Sequence, residues 1–139
     1  MSDLLEDAKS VNIKNPYSLY NNIEIARVEP DFAELYVDMN ENMTNLYHTL
    51  HGGAYFVLAD CCSGAAVRTN GKHYVTQQAS VSYMRSIKSG RITARCNVIF
   101  RGKASCISEV SIFDEEGTLC FKGTFTSFCI DRSPGSFAD

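Results

Sequence analysis

The sequence predicts an α+β fold in which a curved antiparallel sheet wraps around one central helix. The first sign is residues 54–67, an alanine-rich stretch that is too long for an ordinary strand and apolar nearly all round, as a helix enclosed by other structure would be. The second is the alternation of apolar and polar residues in segments on both sides of that stretch. A sheet packed around the helix satisfies both patterns.

Before the central helix, turn residues divide the chain into three elements. Ser2 and the acidic residues after it indicate a short helix that ends before Asn15-Pro16, in a peripheral helix-and-loop region of residues 1–21. Residues 22–28 and 32–39 are apolar segments on either side of a tight turn. We therefore predict that a β-hairpin opens the domain.

After the central helix, the apolar period changes to two. Residues 92–100 alternate most clearly, with Ile92, Ala94 and Cys96 on one face. Turn residues bound each segment, so the sequence predicts an antiparallel meander of four strands followed by a loose tail at residues 131–139. The four strands are residues 74–84, 92–100, 104–113 and 119–130.

Length and charge limit the class of protein. The 139 residues, 45% hydrophobic and 21% charged, fit one globular domain over residues 1–139. A net charge of −3 with no basic run argues against a nucleic-acid partner. Residues 1–9 are acidic and resemble no targeting segment, and residues 54–67 fall short of the roughly 20 that cross a membrane. A cytoplasmic location without membrane attachment is the expectation.

The cysteines and histidines do not indicate a metal site. None of the six cysteines has C-x-x-C spacing, so we expect reduced thiols packed as small hydrophobic residues. His48, His51 and Asp60 are the remaining candidate ligands, but both histidines precede the predicted helix. We therefore predict no metal ion.

Asp60 is unusual because an ionised carboxylate in an apolar helix carries a large desolvation penalty. One reading is that it lies on a partly exposed stripe or pairs with Arg68 or Arg85. The other is that it serves as a general base or nucleophile in a cleft. From the residues alone, neither interpretation of Asp60 is favoured over the other.

Gly52 and Gly53 stand at the start of the same helix. Unpaired backbone N–H groups and the positive end of the helix dipole form an anion site there, and glycine lets a substrate approach closely. A bare Gly-Gly pair is more often just a tight turn into a helix. The pair therefore needs support from the residues around it.

The combination of motifs resembles the PaaI-like group of hot-dog thioesterases over residues 23–130. That group has an asparagine, a His-Gly-Gly at the start of the central helix and an acid nine residues after the histidine. The matching segments here are Asn45 to Gly53, Leu58-Ala59-Asp60, Tyr74-Val75-Thr76, Tyr83-Met84-Arg85, Ser89-Gly90 and Arg101-Gly102-Lys103.

The resemblance implies hydrolysis of acyl-CoA thioesters to a carboxylic acid and free CoA, without a cofactor because coenzyme A is part of the substrate. The Gly52 N–H, helped by the Asn45 side chain, would polarise the thioester carbonyl. Asp60 would activate water or attack directly, and Thr76 would help to orient the water.

The resemblance also implies a set of substrate contacts. His48 stands where many members have glycine, so it bears on substrate preference. For the CoA phosphates we favour the two cations at the turn after residues 92–100. The predicted substrate-binding residues are His51, Gly53, His48, Tyr83, Arg101 and Lys103.

The spacing of Gly52 and Asp60 requires a second chain. They are eight residues apart, about 12 Å along a helix, too far for both to reach one carbonyl. Two antiparallel copies would form two equivalent shared sites. The family resemblance implies the same dimer and, beyond it, a homotetramer.

Two other functions remain open. A non-catalytic acyl-CoA sensor on the same fold is the main alternative, although no DNA-binding module fits in the short N-terminal segment. A dehydratase or hydratase needs a catalytic histidine, and the predicted helix has none after its first turn.

Overall fold

The computed structural model describes residues 3–131. Two α-helices precede a hairpin, one long helix follows it, and four further strands complete the described part of the chain. Short 3-10 turns lie at Glu41–Met43 and Arg68–Asn70. In chain order the elements are α1 (Asp3–Asn12), α2 (Pro16–Tyr20), β1 (Glu24–Glu29), β2 (Phe32–Asp38), α3 (Gly52–Val67), β3 (Tyr74–Tyr83), β4 (Arg91–Arg101), β5 (Ser105–Phe113) and β6 (Leu119–Cys129).

The six strands form one antiparallel sheet that surrounds α3, so the predicted hot-dog fold is confirmed. The strand order is β1-β2-β4-β5-β6-β3. The predicted hairpin is present, with Glu29 opposite Phe32 next to the turn. All five pairings between neighbouring strands are antiparallel.

The predicted four-strand meander is wrong in one respect, because β3 does not pair with β4. Instead β3 pairs with β6, from Tyr74 opposite Cys129 to Tyr83 opposite Phe121, while β4 pairs with β2. The helix α3 crosses the face of the sheet, so β3, which follows it in the chain, lies at the edge of the sheet opposite β1. Alternation of apolar residues identifies a strand but does not name its neighbour.

The core lies between α3 and the sheet. Leu58, Ala59, Cys62 and Ala66 are at most 1% exposed. Small residues let the helix approach the strands so closely that the Cys62 thiol donates to the Ala33 carbonyl at 3.4 Å. Truncation of Leu58 to alanine in such a core typically costs about 2–5 kcal/mol.

The cysteines confirm the sequence interpretation. All six are free thiols, five of them buried and Cys61 partly buried. Burial raises the pKa of Cys61, and it raises the pKa of Cys96 to about 12. Cys61 and Cys96 are therefore weak nucleophiles at neutral pH.

The N-terminal segment contains two helices where one was expected. The predicted cap Ser2 lies outside the described residues. Helix α1 ends at Asn12, before Asn15-Pro16, as predicted. Pro16 is the first residue of α2, where its missing backbone N–H has no cost because that N–H would have no partner within the helix. Ser18 of α2 is buried and lies 3.2 Å from the Cys61 sulfur. The segment therefore packs against α3.

The predicted loose tail extends beyond residue 131 and so lies almost wholly outside the described residues. Within residues 3–131, no helix is long and apolar enough to cross a membrane.

Candidate active site

The loop before α3 is organised by the side chain of Asn45. Its Oδ1 accepts hydrogen bonds from the backbone N–H of Tyr47 at 2.9 Å and of Thr49 at 3.1 Å. Its Nδ2 donates to Thr49 Oγ1 at 3.1 Å and reaches the Leu50 carbonyl only at 3.5 Å. One amide hydrogen is thus weakly held and available to a ligand.

His48 occupies a strained position in the same loop. Its φ is +63°, in the left-handed region that glycine adopts without cost. The side chain is exposed and lines neither of the two grooves described below. Many family members have glycine at this position, and glycine adopts this backbone conformation without strain. Histidine adopts it at a cost.

His51 caps α3. The backbone N–H of Gly53 donates to His51 Nδ1 at 2.8 Å, which places the ring proton on Nε2. The Gly53 N–H is therefore already used. The Gly52 N–H meets no acceptor within the part of the chain that the structure describes. Of the two glycines, Gly52 offers the free donor at the helix start.

Tyr83 forms the wall opposite Gly52. A Cβ on Gly52 would lie 3.6 Å from Tyr83 Cε1, an ordinary contact. The Tyr83 ring is held edge-on against Tyr55 and Phe121, with centroids 5.5 and 5.2 Å away. These residues border a groove of about 280 Å³, which we call the Gly52 groove; its lining includes Asn45, Gly52, Tyr55, Tyr83 and Arg85.

Asp60 lies in the middle of α3, where its side chain is only partly buried. The Thr76 hydroxyl donates to Asp60 Oδ1 at 2.6 Å, so the two residues predicted to act together are in contact. Among residues 3–131 of one chain, no ion pair joins Asp60 to Arg68 or Arg85. Asp60 is therefore partly exposed and, within one chain, is not paired with either arginine.

Asp60 opens into a second groove, of about 390 Å³, which we call the Asp60 groove. One wall is α3, another is the start of β3, and the third is the N-terminal segment. The residues that line this groove include Asn12, Asn15, Asp60, Gly64, Arg68 and Thr76.

The two grooves are separate within one chain. They share no lining residue. Gly52, which lines one groove, and Asp60, which lines the other, are about 12 Å apart along the axis of α3. The structure therefore brings Asn45, Gly52 and Tyr83 together at one place and Asp60 and Thr76 together at another. One carbonyl cannot contact both places in a single chain.

Arg101 and Lys103 lie at neither groove. The Arg101 guanidinium donates to Asp31 through Nε and Nη2, at 3.2 and 2.8 Å. Its Nη1 donates to the Val67 carbonyl at 3.1 Å and the Tyr74 hydroxyl at 3.0 Å. Arg101 thus holds the end of α3 to the sheet, whereas Lys103 is exposed. Their contacts with CoA phosphates remain a prediction.

Sequence reasoning missed the contribution of the N-terminal segment. Asn12 and Asn15 line the same groove as Asp60, and Arg68 was considered only as an ion-pair partner. No periodicity points to them, because their role depends on where α1 and α2 dock. Pro16, at the first position of α2, was the one feature of the sequence that could have indicated a second helix.

Comparison with known proteins identifies the family of the chain. The family profile of the thioesterase superfamily matches residues 47–121. A relative from Saccharolobus solfataricus, provisionally named an esterase, is 31% identical over 106 residues, 75% of this chain and 71% of that protein. The 1,4-dihydroxy-2-naphthoyl-CoA hydrolase of Escherichia coli is 27% identical over 108 residues, 76% of this chain and 79% of that one.

Solved structures confirm the resemblance to the PaaI-like group. The Escherichia coli PaaI protein superposes with a TM-score of 0.90 over 95% of this chain and 96% of its own, at 20% identity, which supports the fold alone. A hypothetical thioesterase from Streptococcus pneumoniae, solved with coenzyme A, is 28% identical with a TM-score of 0.79 over 93% of this chain and 99% of that one.

The pneumococcal protein has also been solved with an aspartate and with a threonine replaced by alanine. Those two positions are 16 residues apart, the same separation as between Asp60 and Thr76.

Proposed function

The chain belongs to the thioesterase superfamily, and we propose that its substrates are acyl-CoA thioesters, which it cleaves to a carboxylic acid and free CoA. The coenzyme A bound by the pneumococcal relative supports the CoA part of this proposal. The observation that carries it is the pair of complementary half-sites on α3, a free N–H at Gly52 and the Thr76-bound carboxylate of Asp60.

The complete site requires two chains. Because the half-sites are about 12 Å apart on one helix, two antiparallel copies are needed to place Asp60 of one chain near Gly52 and Asn45 of the other. Such a dimer is symmetric and contains two equivalent sites. Mixing two inactive variants, one defective at Asp60 and one at Gly52, tests this arrangement.

The donors at Gly52 and Asn45 would stabilise the reacting carbonyl. As water adds to the thioester, negative charge develops on the carbonyl oxygen, and a fixed N–H at a helix start stabilises that charge more than the neutral ground state. Loss of one such donor typically costs about 3–4 kcal/mol in the transition state. The weakly held second hydrogen of Asn45 Nδ2 is suited to join it.

Asp60 would supply the base. It takes a proton as the water oxygen bonds to the carbonyl carbon, and it returns the proton to sulfur when the carbon–sulfur bond breaks, leaving acid and CoA thiol. Direct attack by Asp60 would instead break the carbon–sulfur bond, release CoA thiolate and form a mixed anhydride, which water then cleaves to the acid and the free Asp60 carboxylate. Both routes need the same carboxylate, held by the same Thr76 bond.

The first experiment measures free-thiol release from short, long and aromatic acyl-CoAs by the wild type and Asp60→Asn. We expect turnover of at least one substrate and a loss of about a hundredfold or more in the variant. The matched control is Asp38→Asn, which removes an exposed carboxylate that pairs with Arg91. Loss in the control as well would show a general effect of charge or stability.

The main alternative, acyl-CoA binding without turnover, predicts a different result. The wild type would bind a non-hydrolysable acyl-CoA analogue but release no thiol from any member of the panel. That outcome would refute hydrolysis.

A further inference from the structure

Arg68 is a cation without an ion-pair partner among the described residues. It is the C-cap of α3, and its Nη1 lies 3.1 Å from the point where a Cβ on Gly64 would stand, so the guanidinium turns back over the preceding turn. Among residues 3–131, no carboxylate forms an ion pair with it. The nearby Val67 carbonyl is bonded by Arg101 instead. Burial lowers the pKa of Arg68, as expected for a cation without a counterion.

Arg68 shares the Asp60 groove with the proposed base. Asp60, Gly64 and Arg68 are spaced by four residues, so they follow one stripe of α3 along the floor of the groove. Gly64 has no side chain, so the Arg68 guanidinium can lie close to the helix there, with its Nη1 3.1 Å from the point where a Cβ would stand. The facing wall includes Asn12, whose amide donates to the Ile23 carbonyl at 3.0 Å, and Asn15.

The length of this stripe limits the acyl group. From Asp60 to Gly64 the helix rises about 6 Å, and the guanidinium lies above Gly64. An acyl group whose carbonyl reacts at Asp60 would reach Arg68 after four or five carbon–carbon bonds. The group at that end must be an anion or a strong acceptor, because an apolar end would bury the charge of Arg68 without compensation.

We propose that the Asp60 groove selects acyl-CoAs whose acyl group ends in a carboxylate four or five carbon–carbon bonds from the thioester carbonyl, and that Arg68 binds this carboxylate. The inference rests on the proposed function and names its substrate class. Water adds to the thioester carbonyl, the carbon–sulfur bond breaks and sulfur takes the proton. The far carboxylate is unchanged, so the products are a dicarboxylic acid and CoA.

The test compares substrates of equal carbon number. Glutaryl-CoA is paired with valeryl-CoA, and adipoyl-CoA with hexanoyl-CoA, with thiol release as the readout. We expect the wild type to favour the carboxylated member of each pair by about tenfold or more in kcat/KM. Equal or reversed preference in the wild type would overturn the inference while leaving thioester hydrolysis in place.

The variants ask whether Arg68 causes the preference. Arg68→Gln should reduce the ratio of the two kcat/KM values by about tenfold or more, and Arg68→Lys, which keeps the charge, should retain part of it. The matched control is Arg27→Gln, an exposed arginine on β1 outside the groove. An unchanged ratio in Arg68→Gln would overturn the inference.

A second variant covers the case in which Arg68→Gln fails to fold. Gly64→Ala keeps Arg68 but adds a methyl group 3.1 Å from its Nη1, so it should also reduce the ratio. A ratio in Gly64→Ala equal to that of the wild type would overturn the inference. If no acyl-CoA of any class releases thiol, the proposed function itself fails, and this result is distinct from a lack of preference.

Discussion

Thr76 and Asp60, 16 residues apart in the chain, are joined by a hydrogen bond of 2.6 Å from the threonine hydroxyl to Oδ1 of the carboxylate. The bond links β3 to the middle of α3. It holds Oδ1 of the carboxylate in place. Oδ2 is then the oxygen that would accept a proton from water or attack the carbonyl carbon. A hydrogen bond to a charged group is worth about 1.5–3 kcal/mol.

Replacement of Thr76 tests whether this bond serves catalysis. Thr76→Val keeps the shape but removes the donor, so we expect kcat to fall about tenfold or more with little change in KM. Thr76→Ser keeps the hydroxyl and should retain most of the activity. Steady-state thiol release measures both, and equal rates for Thr76→Val and the wild type would contradict a catalytic role.

The central helix and its chemistry could be predicted from sequence because their signals are local. Residues 54–67 are apolar on every face, and an acid among them has few structural explanations. The motif resemblance then linked Asp60 to Gly52 and Asn45. Spacing alone, at 1.5 Å per residue, showed that Gly52 and Asp60 are too far apart to act on one carbonyl in one chain.

The features that sequence could not predict depend on contacts between distant segments. The position of β3 at the far edge of the sheet follows from the path of α3, which no alternation pattern encodes. The docking of α1 and α2 places Asn12 in the Asp60 groove. The network around Arg101 likewise joins Asp31 and Tyr74, which lie far apart in the sequence.

Replacement of His48 by glycine should stabilise the protein. The backbone there has a φ of +63°, a conformation that costs an L-residue about 1–2 kcal/mol but is open to glycine. Part of the gain is lost to the greater freedom of glycine in the unfolded chain, so we expect up to about 1 kcal/mol. Urea denaturation measures it. His48→Ala is the control and should give no gain; equal stability of the two variants would contradict the backbone argument.

Arg101 should prove structural. Arg101→Met removes donors to Asp31, Val67 and Tyr74, and we expect the free energy of unfolding to fall by about 1.5–3 kcal/mol. Lys103→Met, on an exposed neighbour, should change stability by no more than about 0.5 kcal/mol. Urea midpoints give both values. Unchanged stability of Arg101→Met together with a raised KM for acyl-CoA would instead favour the phosphate contact.

The N–H of Gly52 can be removed with little disturbance of the helix. Gly52 is the first residue of α3, where proline is tolerated, and His51 before it has φ −65° and ψ +139°, the conformation that proline favours in a preceding residue. Gly52→Pro should therefore fold but lose about 100- to 1000-fold in kcat. Gly52→Ala keeps the N–H and meets Tyr83 at an ordinary 3.6 Å, so it is the control. Full activity of Gly52→Pro would exclude this donor.

Mixing two inactive variants tests whether the sites are shared between chains. If Asp60 of one chain works with Gly52 of the other, a heterodimer of Asp60→Asn and Gly52→Pro has one site with both defects and one intact site. Random association of equal amounts makes half of the dimers mixed, so activity should return to roughly a quarter of the wild-type value. Thiol release before and after the two chains are refolded together measures it. If each site lay within one chain, every site would keep one defect, and the mixture would stay as inactive as its components.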